Sequence, residues 1–526
     1  MNVKEKFKFG FDASRAVSIS LKVCAAVAAV CALILTFTVS DYYIFNRFGE
    51  FGFFFCVSQW IKKAGLLLIL AAVFFNCRSC GDAVKYVLPL FLILSCCLFG
   101  GYFDVIPPAT TPEQEVFNSV NLNFPKWLNI TLFFLQNVAY AACCALLIVK
   151  DGVKVNPRSF ICLPFALLCT LPLNIFENFF DINAISATSW LRFKNFTIWH
   201  FIALCVLAGS TIGLYYFLKN KSREQQDKYF AVIAITLLIQ YHSKDSVVMG
   251  DGYNVYNTVF ACLPLFICNI GVYIASASVI FKKRALYAMA FFVHAVGALT
   301  VFVYFGKDEM SNYGIFCSYS ILYFCLTHCL LFALCVLPSA LGHYRFKIKD
   351  CIIPLIYYFA VIVVASLSST LVSSLSTTWH TADGVYPFAG ENYMKPNYAF
   401  TQINPLPFEV PNLIPLGGAM QYLNIFYVLL VYVAYVCLFF AFYGAYRAFL
   451  AIRAVVLKRL AHRAAAGNLG GLEQGADGAT ALQAETAATE SDGGEATATQ
   501  ETQAAATAAD DGGEAAATQD EETNDA

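Results

Sequence analysis

Charge is what this chain has least of. Of its 526 residues, 13% are Asp, Glu, Lys or Arg, against about a quarter in a soluble globular chain. That deficit excludes a protein solvated on all sides. Embedded Asp, Glu, Lys or Arg are also nearly absent from the centres of the long apolar runs. Glu177 is the nearest case, which weighs against ion-coupled transport. No Walker, Rossmann-glycine, HExxH or GxSxG pattern occurs, so nucleotide, dinucleotide, zinc-protease and serine-hydrolase chemistry lack their residues. After Arg463 there is no Lys or Arg at all. Basic residues elsewhere sit at the ends of apolar runs, where topology accounts for them, and nothing points to nucleic acid.

What is present is apolar length. Hydrophobic residues make up 59% of the chain, and a bilayer core needs about 20 of them in a row to be crossed by a helix. The runs predict an all-α, polytopic transmembrane bundle of about 12 spans, at 16–40, 58–77, 84–104, 127–149, 160–178, 197–218, 228–242, 255–281, 285–305, 313–339, 351–375 and 419–450. Alternate loops are basic: Arg78/Lys85, Lys150/Lys154/Arg158, Lys219/Lys221/Arg223, Lys282/Lys283/Arg284, Arg345/Lys347/Lys349 and Arg447/Arg453/Lys458/Arg459. By the positive-inside rule these lie in the cytoplasm together with both termini, giving a multi-pass protein of the cell membrane. Lys62 and Lys63 break the pattern at the outer end of the second span, where long side chains reach back to the headgroups.

Twenty cysteines sit mostly inside apolar runs and read as small hydrophobes. Cys77 and Cys80 form the one CxxC. No second pair accompanies it, so no metal is expected, and the sequence implies no cofactor. The tail beyond Ala464 is built of Ala, Thr, Glu, Gln, Asp and Gly, carries 14 of the 35 acidic residues and lacks the apolar side chains that folding needs. The expected organisation is therefore 1–190, a five-helix membrane region of unknown role; 191–450, a seven-helix membrane core; and 451–526, a basic juxtamembrane segment followed by a disordered acidic tail.

Polar groups at membrane depth are the functional candidates. His200 opens the sixth span, Asn269 follows Cys268 in the eighth, His294 is midway along the ninth and His328 midway along the tenth. At 1.5 Å per residue, Cys268, His294 and His328 fall at similar depth. A thiol and an imidazole there suit nucleophilic acyl chemistry, the imidazole taking the thiol proton. Asn269 suits an oxyanion donor, although it lies about 100° around the helix from Cys268. The bland alternative is packing, because a membrane histidine bonded to a neighbouring helix is common. The long segment 376–418, with Trp379, Tyr386, Phe388, Tyr393, Tyr398, Phe400 and several prolines, is either a cap over a cavity or an aromatic belt. Asn397 within it serves a headgroup or a turn.

Four marks in order, "WHFIAL" (199–204), "LPLFICN" (263–269), "LTHCLL" (326–331) and "PNYAFTQINPLPFEVP" (396–411), resemble the YwaF-like family of integral membrane proteins, whose eukaryotic relative is transmembrane protein 164. The resemblance covers about 197–441. It implies a lipid acyltransferase moving acyl chains between phospholipids and lysophospholipids, with Cys268 as acyl-accepting nucleophile and His328 as base. His200, Asn269, His294, Asn397 and Tyr398 become candidate substrate contacts, and membrane lipids the partners. Phe266 stands where many bacterial relatives carry His, and "GKDEMSNYG" (306–314) lacks the Pro-Asp that often enters the histidine helix. A lipid carrier of the flippase kind and a non-catalytic scaffold are the competing functions. Oligomeric state is not readable.

Overall fold

The computed structural model describes residues 13–38, 41–97, 126–172, 193–250, 263–303, 319–378, 398–401, 409–421 and 423–468. Twelve helices account for most of them: α1 (Ala13–Thr38), α2 (Asp41–Phe74), α3 (Arg78–Cys97), α4 (Lys126–Asp151), α5 (Cys162–Cys169), α6 (Ile198–Leu218), α7 (Arg223–Gly250), α8 (Ile267–Phe281), α9 (Arg284–Val303), α10 (Tyr319–Ala340), α11 (Ile352–Thr378) and α12 (Ile425–Asn468). No strand occurs among the described residues. Two compact units divide the chain, Met1–Tyr443 and Gly444–Ala526. The helices up to Tyr443 pack as one bundle, and the site lies there.

Among the described residues eight helices are long and apolar enough to cross a membrane, within α1, α2, α4, α6, α9, α10, α11 and α12. Of the other expected spans, 84–104 and 160–178 run past the described residues, and the described parts of 160–178, 228–242 and 255–281 differ from a full span for local reasons. α5 is eight residues long and stops at Thr170, two residues before Pro172. Pro lacks the N–H that would continue a helix. α7 carries Glu224, Asp227, Lys228, Lys244 and Asp245 along its 28 residues, which dilutes its hydropathy. α8 is 15 residues long because Leu263–Phe266 enter it in non-helical backbone, Pro264 among them. Hydropathy over 255–281 is continuous, but the helix begins partway through it.

α1 lies along α4, and α2 packs against α3 and α7. Their shared core is rich in small residues: Ala25, Ala28, Ala64, Ala71, Ala72 and Ala83 are all buried. Small side chains let membrane helices approach closely without a hydrophobic driving force between them. Two residues past the end of α2, Asn76 takes the left-handed conformation (φ 51°) that Asn tolerates. The Cys77 N–H then caps the Ala71 carbonyl at 3.1 Å. A second core is aromatic. Phe292 stacks on Phe439 with centroids 4.8 Å apart, and Tyr358 on Tyr435 at 4.2 Å. Between the two cores, α7 and α8 pack on each other and on α10.

Candidate functional site

The start of α8 is the organising element. Leu263–Phe266 run up to it in open backbone, tightened by a Leu265 N–H to Leu263 carbonyl bond of 2.8 Å. Phe266 is the N-cap (φ −76°, ψ 144°), Ile267 the first helical residue, Cys268 the second and Asn269 the third. The first intrahelical bond runs from Ile270 N–H to Phe266 O at 3.0 Å. The N–H groups of Ile267, Cys268 and Asn269 therefore precede the helical ladder and form its positive end. Cys268 and Asn269 are half-buried. Cys268 interacts electrostatically with Cys335 of α10 and Tyr435 of α12.

His294 is locked onto that helix start. It closes a π-helical turn, Ala290–His294, inside α9. Such a turn frees a carbonyl from the regular ladder, and here the Tyr435 hydroxyl donates to Val293 O. The His294 ring is fully buried, with Nδ1 at 2.8 Å from Ile267 O and Nε2 at 3.0 Å from Tyr357 Oη. A carbonyl only accepts, so Nδ1 carries the proton and donates, and Nε2 accepts from the tyrosine. Two glycines make the fit possible. A Cβ on Gly271 would stand 2.9 Å from His294 Cγ and Nδ1, and one on Gly297 would stand 2.9 Å from Ile267 Cγ2 and 3.0 Å from Tyr435 Oη.

The other histidines divide by role. His200 is buried and satisfied on both ring nitrogens: Phe196 N–H donates to Nδ1 at 2.9 Å, and Nε2–H donates to Phe302 O at 2.6 Å. It ties α6 to α9. In His328, Nδ1–H donates to Phe324 O of its own helix at 2.9 Å, which makes Nε2 the nitrogen with the lone pair. Its ring stacks on Phe324 at 4.1 Å and meets Phe302 edge-on at 6.2 Å. Cys335, the α10 residue coupled to Cys268, lies seven positions beyond His328, about 10 Å along the helix. His294 thus holds the carbonyl of Ile267, the residue before Cys268 at the start of α8.

Tyr398 is buried, its N–H donating to Ser369 Oγ at 3.1 Å and its ring 5.9 Å from Phe266. It packs in one cluster with Val293, Tyr358 and Tyr435, against Leu263, Leu265, Phe266 and Ile267. The segments "LPLFICN" and "NYAF", 130 residues apart in sequence, therefore meet at one place. Asn397 and most of 376–418 lie outside the described residues. Sequence reasoning missed Tyr357, Tyr358 and Tyr435, because tyrosines inside apolar runs look like any buried aromatic. A signal was available in Gly271, placed one turn from Cys268 where a helix would favour Ala.

Cys80 interacts with the Cys77 and Cys162 thiols. Among the described residues no His, Cys, Asp and Glu group has the arrangement to hold a metal ion. Lys62 does not reach out to the headgroups: it is 3% exposed and turned inward toward α4.

No curated protein and no solved structure matches the chain. A family model does, over residues 195–443, a stretch that opens just before α6 and includes Cys268, His294, His328, Tyr357 and Tyr435. That model describes the TMEM164 family, and over residues 195–443 this membrane protein is similar to it.

Proposed function

We propose that the 195–443 region transfers acyl chains between phospholipids and lysophospholipids through a Cys268 thioester. The observation that carries this reading is the position of Cys268 as second residue of α8, a helix that begins partway through an apolar run. Negative charge developing on its Sγ, or on the oxygen of a tetrahedral intermediate beside it, lies at the positive end of the helix dipole. In this reading α10 brings the His328 imidazole to the Cys268 thiol, which gives its proton to the Nε2 lone pair, and the thiolate attacks the ester carbonyl of the donor phospholipid. The C–O bond breaks, and the departing lysophospholipid oxygen takes the proton from the imidazolium. An acceptor lysophospholipid then gives its hydroxyl proton to the same imidazole and attacks the thioester, and the thiolate is released and reprotonated. His294 positions the chemistry by holding the Ile267 carbonyl, and Asn269, in the same first turn of α8, serves as a contact for the substrate. The chain sits in the cell membrane with both termini cytoplasmic and as many as twelve crossings.

A lipid carrier is the second reading, favoured by the non-helical entry to α8, since interrupted helices commonly line carrier binding sites. The two are separated by incubating purified protein in vesicles with a phospholipid labelled in one acyl chain. Acyl transfer predicts a protein-bound, hydroxylamine-labile label, absent in Cys268→Ala with the melting temperature unchanged. Label that stays on the phospholipid while moving between leaflets, equally in Cys268→Ala, would establish the carrier and remove the enzyme reading.

A further inference from the structure

Acyl transfer leaves the thiols at the turn between α2 and α3 unused. Cys77 and Cys80 form the CxxC of the chain, and Cys162 is the first residue of α5. Cys80 interacts with the thiols of both other residues. All three pack in one cluster with Phe75, Ala83 and Val84, and all three are free thiols. Cys80 is 7% exposed, whereas Cys77 and Cys162 are half-buried. Asn76, Arg78 and Ser79 around Cys77 are exposed. The turn therefore opens Cys77 to molecules from outside and keeps Cys80 behind it.

The members of the pair differ in position as well as in exposure. Cys77 caps α3: the Gly81 N–H donates to its carbonyl at 3.1 Å, the first bond of the helix. The N–H groups of Arg78, Ser79 and Cys80 precede that ladder and form the positive end of α3. A thiolate on Cys77 sits at this end. The Lys228 ammonium of α7, itself paired with Glu224 at 2.7 Å, also acts on it electrostatically. Cysteines in such a setting react as thiolates. Cys80 is the third residue of α3, and residues three apart in one turn are neighbours. Because Cys77 itself has non-helical backbone, it can close to the about 4 Å Cβ separation of a disulfide while the rest of α3 keeps its ladder. Cys205 and Cys437 are more exposed, but they lie on α6 and α12, helices long and apolar enough to cross a membrane. A water-soluble disulfide does not reach them there.

We propose that Cys77 and Cys80 are a thiol–disulfide exchange site for a small water-soluble disulfide, in which Cys77 takes the first bond and Cys80 resolves it. The Cys77 thiolate attacks one sulfur of the small disulfide. That S–S bond breaks, and the departing thiolate leaves with the electron pair and takes up a proton. Cys80 then gives up its proton, and its thiolate attacks the Cys77 sulfur of the mixed disulfide. The second small thiolate leaves and is protonated. Two electrons have passed from the cysteines to the small disulfide, which ends as two thiols. A Cys80–Cys162 bond, which would join α3 to α5, is the competing product. The site lies outside the stretch matched by the family model and does not depend on acyl transfer.

The test uses the reduced full chain in lipid nanodiscs, incubated with oxidised glutathione. Remaining thiols are trapped with iodoacetamide at successive times, and peptides are mapped by mass spectrometry without reduction. A Cys77–Cys80 bond with no glutathione retained is expected, in the wild type and in Cys162→Ser alike. Cys80→Ser should retain glutathione on Cys77. Cys77→Ser should slow the loss of the Cys80 thiol about tenfold, since a buried thiol presents little thiolate. Glutathione held on Cys77 of the wild type, or oxidation confined to other cysteines, would overturn the proposal. So would a Cys80–Cys162 bond that forms as fast in Cys77→Ser as in the wild type. The wild-type map and Cys77→Ser, a change at a half-buried position, decide the matter even if Cys80→Ser does not fold.

Discussion

The start of α8 and the cavity beside α2 are both polar centres inside an apolar bundle, and they are built on opposite plans. At α8, polar atoms are used up on backbone and on one another: His294 bridges Ile267 O and Tyr357 Oη, and Tyr435 holds Val293 O. Little space is left, as the clash awaiting a Cβ on Gly271 shows. Around α2 the polar atoms of Lys62, Lys63 and Gln136 line a cavity of about 310 Å³ among α1, α2, α4, α7 and α8, and their mutual distances are long. A buried network that is fully bonded gives rigidity. One that lines a void leaves its side chains room to move. The contrast assigns positional precision to the start of α8 and looser packing to the wall of the cavity beside α2.

The strongest way to break that contrast is Gly271→Val. Its side chain must enter space held by an imidazole that is fixed at both nitrogens and so cannot swing away. Overpacking of this kind costs about 3 kcal/mol, well above the gain of about 0.5 kcal/mol that Val has over Gly as a helix former. A marked loss of melting temperature is expected, and acyl transfer should fall with it. An unchanged melting temperature would mean the α8 centre is loosely packed.

His294→Phe comes next. The ring shape is kept, but the Tyr357 hydroxyl loses its acceptor and Ile267 O loses a donor, a cost of about 2 kcal/mol. At α2, Lys62→Met is the counterpart. The methionine keeps the apolar stem packed toward α4 and gives up a 3.4 Å contact with Gln136, so the loss of stability should be smaller than at His294. Thermal unfolding of the two variants side by side sharpens the comparison. If both were equally destabilised, the two centres would share one structural role.

Much of this was legible in the chain. Low charge and repeated apolar runs are enough for an all-α membrane bundle, and four short marks located the family region to within a few residues of 195–443. Counting at 1.5 Å per residue put Cys268, His294 and His328 at similar depth, and in the fold His294 bonds the carbonyl of Ile267, next to Cys268. What hydropathy could not register was where backbone stops being helical. Leu263–Phe266 are as apolar as the helix they precede, so 255–281 read as one span. The tyrosines were hidden for a related reason. Tyr357 and Tyr435 look like core, and their role rests on tertiary contacts with residues 63 and 142 positions away. Lys62 was misleading in the opposite sense, since a lysine near a span end is ordinarily a snorkelling one.

The smallest predicted effect lies outside both centres, in the turn after α10. His343 Nε2–H donates to Gln226 Oε1 at 2.6 Å, and Nδ1 stands 3.6 Å from Asp227 Oδ1. The Phe230 ring packs edge-on at 5.4 Å. Burial lowers the proton affinity of the imidazole below its ordinary value, Arg223 and Lys282 lower it further, and Asp227 opposes them. The folded chain therefore binds this proton less readily than the unfolded chain does. Above the ordinary histidine value of about 6.5 both states are neutral at this position, and it adds no pH dependence. As pH falls below that value the unfolded chain gains a proton that the folded chain refuses, and stability declines until the folded imidazole titrates too. His343→Gln keeps a donor toward Gln226 and removes the titration. Melting curves of the two proteins between about pH 7 and pH 5 should separate at the acid end, the wild type falling more steeply. Parallel curves would place the acid sensitivity of the bundle elsewhere and leave His343 as a simple tether between α10 and α7.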